Sequence, residues 1–243
     1  DQSDTDSVTY DTGAFGSAGT VVAGKALYAA VRAMSARILD LAATATGHRN
    51  SDCTLGPEGV RCGDRFVTLD DILAMAGGTL VTAGNSGGLP RSVAFNVHAF
   101  RVAVHEDTGT VKILQSVQSA DAGTVMNPQQ CRGQVEGGVA QAIGSALYEE
   151  IRTDGAGLVT TDSIRSYHVP QFADIPPTEV LFADTYDRLG PFGAKSMSES
   201  PYNPVAPALA NAIRDAVGAR LYDLPMSSDR VWRAVSGRRT SAG

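Results

Sequence analysis

The sequence is poor in cysteine and lacks the motifs that cysteine builds. Its 243 residues contain three cysteines, Cys53, Cys62 and Cys131, an odd number without C-x-x-C spacing. This pattern argues against a zinc site or a thioredoxin-type redox motif. We expect reduced thiols, as in a cytoplasmic protein. Cys53 and Cys62 bracket a candidate hairpin, so a disulfide between them is the less favoured alternative.

The chain also lacks an excess of basic residues and any long apolar run. Its 20 Lys and Arg against 26 Asp and Glu give a net charge of −6, which argues against nucleic-acid binding. No apolar run reaches the roughly 20 residues that span a bilayer, and the polar opening has neither a Met nor a signal-peptide pattern. We therefore expect a cytoplasmic chain that is either a piece of a longer polypeptide or a processed product, with no nucleic-acid or membrane partner.

The histidines and serines form no recognisable catalytic or metal-binding pattern. The four histidines share no ligand spacing, so we predict no metal ligand among them. Ser17, in "AFGSAG", does not fit the G-x-S-x-G elbow of a serine hydrolase. The glycines around it lead into a helix, which alone indicates a turn more often than a phosphate site.

Helical and extended patterns occur in separate blocks along the chain. The spacing of apolar residues predicts a helix from Thr20 to about 45, and Thr68 with Asp71 forms the capping box of a second helix. From Val93 the pattern alternates, and Asp107-Thr108-Gly109 predicts a hairpin. This arrangement predicts an α+β fold with antiparallel or mixed sheets and helices packed on one face. We divide it into segments 1–90 and 91–243.

Helices also dominate the second half of the sequence. One begins at Asn127-Pro128, and another begins with Asn203 as N-cap and stops at Gly218. The intervening segment, around residues 167–187, is predicted to be extended and interrupted by prolines. A short helix follows near the C-terminus.

The helix that begins at Asn127 carries an unusual polar stripe. Val135, Val139, Ile143 and Leu147 form an ordinary core stripe, whereas Gln134, Gly138, Gln141 and Ser145 form an uncharged one. Each interior glycine costs about 1 kcal/mol relative to alanine. Amides beside glycines suit a neutral polar ligand held close to the backbone. Close helix packing with solvated glutamines is an equally good interpretation.

One acidic residue stands in a short polar loop ahead of a helix. Glu199 lies within "SMSES" and is followed closely by Pro201 and the helix. The segment is interpreted either as a capped surface turn or as a rigid loop that holds a catalytic base.

Three motifs in order resemble a known family. "MNPQQCRGQVEGGVAQAIGSALYEE", "YHVPQFADIP" and "GAKSMSESPYNPVAPALANAIRDAVG" are similar to the C-terminal part of the molybdopterin-binding subunit of xanthine dehydrogenases and aldehyde oxidases. The opening "DTDSVTYDTGAFGSAGT" resembles the cofactor loop of that family. The resemblance implies a molybdenum–molybdopterin cofactor, in its simple or cytosine dinucleotide form. The pterin holds the metal, so no protein side chain need ligate it.

The resemblance assigns roles to individual residues. Glu199 matches the catalytic glutamate, the base that activates a Mo–OH group for attack on an aldehyde or N-heterocycle carbon. Gln134, Phe15, Gly16, Ser17 and Ser198 match positions that contact the cofactor. Lys195 would support Glu199 from the same loop. Ser198 replaces the usual glycine and Ser200-Pro201 the usual proline pair, so the backbone at the cofactor is expected to differ from the family pattern. Ala18 replaces a frequent arginine, which is expected to alter substrate or cofactor contacts.

The resemblance also implies partners and leaves alternatives. The upstream half of the molybdenum-binding subunit would complete the site, with 2Fe–2S and FAD groups on other domains or subunits. We expect a molybdenum-dependent oxidoreductase whose isolated chain is inactive. The alternatives are a relative with different chemistry, such as carbon monoxide oxidation, and a non-catalytic assembly domain of the same fold.

Overall fold

The computed structural model describes residues 4–7, 13–86 and 92–241. Residues 8–12, in the expected cofactor loop, lie outside the described residues. The chain divides into two units. The first comprises Asp1–Gly13, Ala18–Arg91 and Leu189–Pro191, and the second comprises Ala14–Ser17, Ser92–Arg188 and Phe192–Gly243. No helix in the described ranges is both long and apolar enough to cross a bilayer.

The first unit combines one long helix with a small antiparallel sheet. Helix α1 spans Gly19–Thr46, the strands are β1 (Cys53–Leu55), β2 (Gly59–Cys62) and β3 (Arg65–Thr68), and α2 spans Leu69–Met75. The strands pair in the order β1-β2-β3. The predicted capping box at the start of α2 is confirmed, with Thr68 and Asp71 as partners. Ala42, Val60 and Ile72 lie in the core of this unit.

The expectation of reduced thiols is wrong for two of the three cysteines. Cys53 and Cys62 form a disulfide, and Cys131 is free. The cause is the register of the β1–β2 hairpin, which sets Cys53 directly opposite Cys62. Such bridges are typical of oxidising compartments.

The second unit is built on a three-stranded mixed sheet. The strands are β4 (Val97–His105), β5 (Thr110–Ala120) and β6 (Thr178–Phe182), and the helices are α3 (Pro128–Leu147), α4 (Ile164–Tyr167), α5 (Val205–Val217) and α6 (Ser228–Ser241). β5 pairs antiparallel with β4 and parallel with β6. The predicted hairpin and the predicted α+β fold are confirmed. Residues of β4 alternate between exposed and buried or half-buried, because α3 and α5 cover one face of the sheet.

The N-cap predicted for α5 is wrong by one residue. The helix begins at Val205 with Pro204 in the capping position, and no side chain caps it. The reason is a series of turns before the helix, in which Tyr202 N donates to Glu199 O and Val205 N donates to Tyr202 O. Gly218 ends the helix with a left-handed backbone, as the sequence predicts.

Candidate functional site

Two predicted site residues that are far apart in sequence meet in the second unit. The hydroxyl of Ser17 donates to Oε2 of Glu199 at 2.9 Å, and the backbone N–H of Glu199 donates to the same hydroxyl oxygen at 2.8 Å. These residues are 182 positions apart. One serine therefore holds both the main chain and the carboxylate of Glu199. Ser17 itself has a left-handed backbone, with φ of 59°.

The turn that carries Glu199 is held by several further bonds. The backbone N–H and the hydroxyl of Ser200 donate to Met197 O at 3.2 and 2.9 Å, which closes a tight turn around Glu199. Pro201 is fully buried, and its carbonyl oxygen accepts a 2.9 Å bond from Nε2 of Gln118. The Glu199 side chain is exposed although its loop is fixed at both ends.

Helix α3 presents an open face beside this turn. A Cβ added at Gly133 or Gly137 would meet no atom within 4 Å, and the Gln134 side chain is exposed between them. At the next residue after Gly137, a Cβ added to Gly138 would lie 3.3 Å from Cβ of Pro201. The polar stripe predicted from the sequence thus lies on the surface at its start and adjoins the Glu199 turn at Gly138. The core stripe is confirmed, since Val135, Val139, Ile143 and Leu147 are buried.

The remaining predicted residues flank the Ser17–Glu199 contact along the chain. Phe15 is 60% exposed, and Gly16 has φ of 59°, next to the left-handed Ser17. Two consecutive left-handed residues reverse the chain sharply and place Ser17 towards Glu199. Ser198 is exposed beside Glu199. That Phe15, Gly16, Ser17 and Ser198 contact a cofactor is still a prediction.

A buried ion pair next to the site was not foreseen. Nζ of Lys195 lies 2.7 Å from Oδ2 of Asp121, and the two side chains are only 13% and 5% exposed. Lys195 therefore pairs with Asp121 rather than supporting the Glu199 carboxylate. Nothing in the sequence pairs these two residues, because they are 74 positions apart.

Several further groups surround the Asp121 carboxylate. It accepts bonds from the Thr185 hydroxyl and from the backbone N–H groups of Phe95 and Gly123. Burial alone would raise the pKa of Asp121, but Lys195 and these donors outweigh it and lower that pKa below its usual value. Lys195 also donates through its backbone to Ala122 O at 2.9 Å. The segment that contains Lys195 and leads to Glu199 is thus fixed to the segment that follows β5.

The described residues offer no metal-binding side-chain cluster. Within that part of the chain, no group of three or more His, Cys, Asp or Glu is arranged to hold a metal ion.

The fold and these motifs place the chain in a defined family. Residues 1–176 match the molybdopterin cofactor-binding domain, and the chain belongs to that family. It is 33% identical to the probable hypoxanthine oxidase XdhD of Escherichia coli, over 96% of this chain and 25% of that protein. It is also 33% identical to the aldehyde oxidoreductase molybdenum-binding subunit PaoC of Escherichia coli, over 83% of this chain and 28% of PaoC.

A solved structure has the same fold. The carbon monoxide dehydrogenase of Oligotropha carboxidovorans superposes with a TM-score of 0.88 at 26% identity, over 98% of this chain and 31% of that chain. The chain thus spans about a quarter to a third of the length of the relatives that it matches. The predicted family is confirmed.

Proposed function

We propose that this chain forms part of the active site of a molybdenum hydroxylase, a molybdopterin-dependent oxidoreductase, with Glu199 as its base. The observation that carries the proposal is the double hydrogen bond between Ser17 and Glu199, which joins the two segments expected to face the cofactor. Membership of the cofactor-binding family supports it. The 33%-identical relatives are named for hypoxanthine and for aldehydes, which favours an N-heterocycle or an aldehyde as substrate.

The residues present fit a molybdopterin group. A flat, polar pterin needs hydrogen-bonding amides and a backbone that it can approach closely. The open surface over Gly133 and Gly137, with Gln134 exposed between them, offers both on α3. Gln134, Phe15, Gly16 and Ser198 would hold the group, and the bound cofactor supplies the oxygen-transfer and two-electron chemistry.

Glu199 is arranged to take up a proton. The Ser17 hydroxyl donates to Oε2, and we assign proton uptake to Oε1. A general base acts only from a fixed position within hydrogen-bond reach of its proton. The turn closed on Met197 and the bond from Gln118 to Pro201 supply that fixed position.

The rest of the enzyme follows from the same proposal. The upstream part of the subunit would complete the cofactor and substrate site, and 2Fe–2S and FAD groups elsewhere would carry electrons away. The cytosine dinucleotide form of the cofactor remains a prediction. A cytoplasmic location was predicted partly from reduced thiols, and the Cys53–Cys62 disulfide removes that support. Carbon monoxide oxidation is not better supported, because the carbon monoxide dehydrogenase structure is 26% identical to this chain, whereas the relatives named for hypoxanthine and aldehydes are 33% identical.

The test is Glu199→Gln in the full-length complex, with Glu179→Gln as the control. Glu179 is an exposed carboxylate on β6. Oxidation of aldehydes and N-heterocycles by Glu199→Gln should fall by about 1,000-fold or more, while its molybdenum content stays unchanged. Glu179→Gln should match the wild type. Unchanged turnover in Glu199→Gln would refute the assignment of the base.

A further inference from the structure

We propose that a buried chain of hydrogen bonds, running from Thr178 through Ser116 and His98 to Gln118, holds the Glu199 loop in its working position. The inference rests on the proposed function, because it concerns the placement of the proposed base. Gln118 does not touch Glu199, so it is a positioning residue and not a catalytic one.

The first hydrogen bonds of this series cross all three strands of the β4-β5-β6 sheet. Oγ1 of Thr178 on β6 lies 2.8 Å from Oγ of Ser116 on β5, and that oxygen lies 3.0 Å from Nε2 of His98 on β4. All three side chains are buried. A buried donor or acceptor without a partner destabilises the fold, so buried polar groups such as these are expected to be hydrogen-bonded.

The middle of the chain is set by the register of the sheet. His98 lies directly opposite Gln118 in the β4–β5 pair. Nδ1 of His98 and Oε1 of Gln118 are both buried, and within the described ranges neither makes a hydrogen bond of regular geometry. A ring N–H and an amide carbonyl are complementary, so we assign the N–H of Nδ1 to Oε1 of Gln118.

The protonation of His98 agrees with this assignment. Burial lowers the pKa of His98 to about 4, although the Gln118 amide raises it in part. The ring is therefore neutral at physiological pH and carries one N–H. With that N–H on Nδ1, Nε2 accepts from the Ser116 hydroxyl, which in turn accepts from Thr178. Every donor then points towards Gln118.

The far end of the chain reaches the Glu199 loop. Gln118 is fully buried, and its Nε2 donates to the carbonyl oxygen of Pro201 at 2.9 Å. Pro201 is itself buried and follows Glu199 by two residues. Because the His98 ring fixes the orientation of the Gln118 amide, it also fixes which end of that amide faces the loop. Ser17 orients the Glu199 carboxylate, and Gln118 fixes the backbone behind it.

The test compares Gln118→Met with Gln115→Met in the full-length complex. Methionine matches glutamine in length but has no amide, and Gln115 is exposed on the same strand. We expect the kcat of Gln118→Met to fall by about 10- to 100-fold, with KM and molybdenum content unchanged. Amide hydrogen exchange across residues 197–204 should become faster in this variant. Gln115→Met should match the wild type in every measurement.

A second variant probes the chain further from the loop. Ser116→Ala removes the donor to His98 and should produce smaller changes of the same sign in kcat and in exchange. The proposal is overturned if Gln118→Met matches Gln115→Met in kcat and exchange. It is also overturned if kcat falls only together with molybdenum content. Should Glu199→Gln keep full turnover, the proposed function fails, while the exchange comparison still decides whether Gln118 holds the loop.

Discussion

Replacing Lys195 by methionine should strongly destabilise the second unit. The ion pair with Asp121 spans 2.7 Å between side chains that are 13% and 5% exposed. Removing one partner of a buried pair costs about 3–5 kcal/mol, because the other charge stays buried. Asp121 keeps the Thr185 hydroxyl and two backbone N–H donors. We therefore expect the lower end of that range, about 3 kcal/mol.

The assay is urea denaturation of the 243-residue chain, monitored by its tryptophan fluorescence. The single tryptophan, Trp232, lies on α6 in the same unit as the ion pair. With a urea slope of about 2 kcal/mol per molar, the midpoint should fall by about 1.5 M. Arg233→Met is the matched control, because it breaks an exposed ion pair with Asp229 and should cost less than about 0.5 kcal/mol.

The stability loss caused by Lys195→Met should depend on pH through the pKa of Asp121. The folded pKa of Asp121 lies below its usual value, so this carboxylate stabilises the fold above about pH 4. That contribution is lost as the pH falls through the folded pKa. In Lys195→Met, the lysine no longer lowers the pKa of Asp121, so that pKa should rise relative to the wild type. The stability difference between wild type and variant should therefore be largest at neutral pH and shrink in acid.

A double variant decides whether the pair acts as a unit. Asp121→Asn combined with Lys195→Met removes both charges, and it should be less destabilised than the sum of the two single variants. A Lys195→Met midpoint equal to that of Arg233→Met would refute the reasoning. Strict additivity in the double variant would refute it as well.

Two other predictions concern the same unit and use the same assay. Gly109→Ala should lower the free energy of unfolding by about 3 kcal/mol, because φ is 70° and the new Cβ would overlap the backbone at Ser228 and Trp232. Its control, Gly157→Ala, has a φ of 84° but lies in open space, so it should lower the free energy of unfolding by only about 1 kcal/mol. Equal losses of stability in Gly109→Ala and Gly157→Ala would contradict the close packing of the β4–β5 hairpin against α6. The pKa of His98 is lowered to about 4 in the folded protein, so His98 takes up a proton at higher pH in the unfolded chain than in the folded one. The free energy of unfolding of the wild type should therefore fall by roughly 3 kcal/mol between pH 6.5 and 4. His98→Gln should lack that loss, and an unchanged pH slope would show that His98 does not titrate in this way.

Local features of the fold were predictable because their signals are local. The spacing in α1, the capping box of α2 and the hairpin at 107–109 each depend on residues a few positions apart, and all three were confirmed. The N-cap of α5 was misplaced, because the turns after Glu199 extend past Asn203. The disulfide was not favoured, because compartment statistics outweighed the hairpin register that pairs the two cysteines.

The site was only partly predictable because its contacts are long-range. Glu199 stood out as the acid of a short polar loop and Ser17 was selected through the family resemblance, but no periodicity would have paired them over 182 residues. Gln118 and Pro201 are 83 residues apart, and a glutamine within an alternating strand gives no sign that it faces the core. Its burial follows from the strand register, which places it on the covered face of the sheet.

The most direct test of the central claim is the molybdenum content of a complex with a blocked α3 face. Gly137→Leu fills open space on that face, and Gly237→Leu makes the same change at an open helical glycine on α6. Leucine favours the helix over glycine by nearly 1 kcal/mol, so both variants should fold. We predict that Gly137→Leu loses at least about nine-tenths of its molybdenum while Gly237→Leu keeps it. Equal molybdenum in the two variants, with turnover retained, would contradict the claim that this helix holds the cofactor.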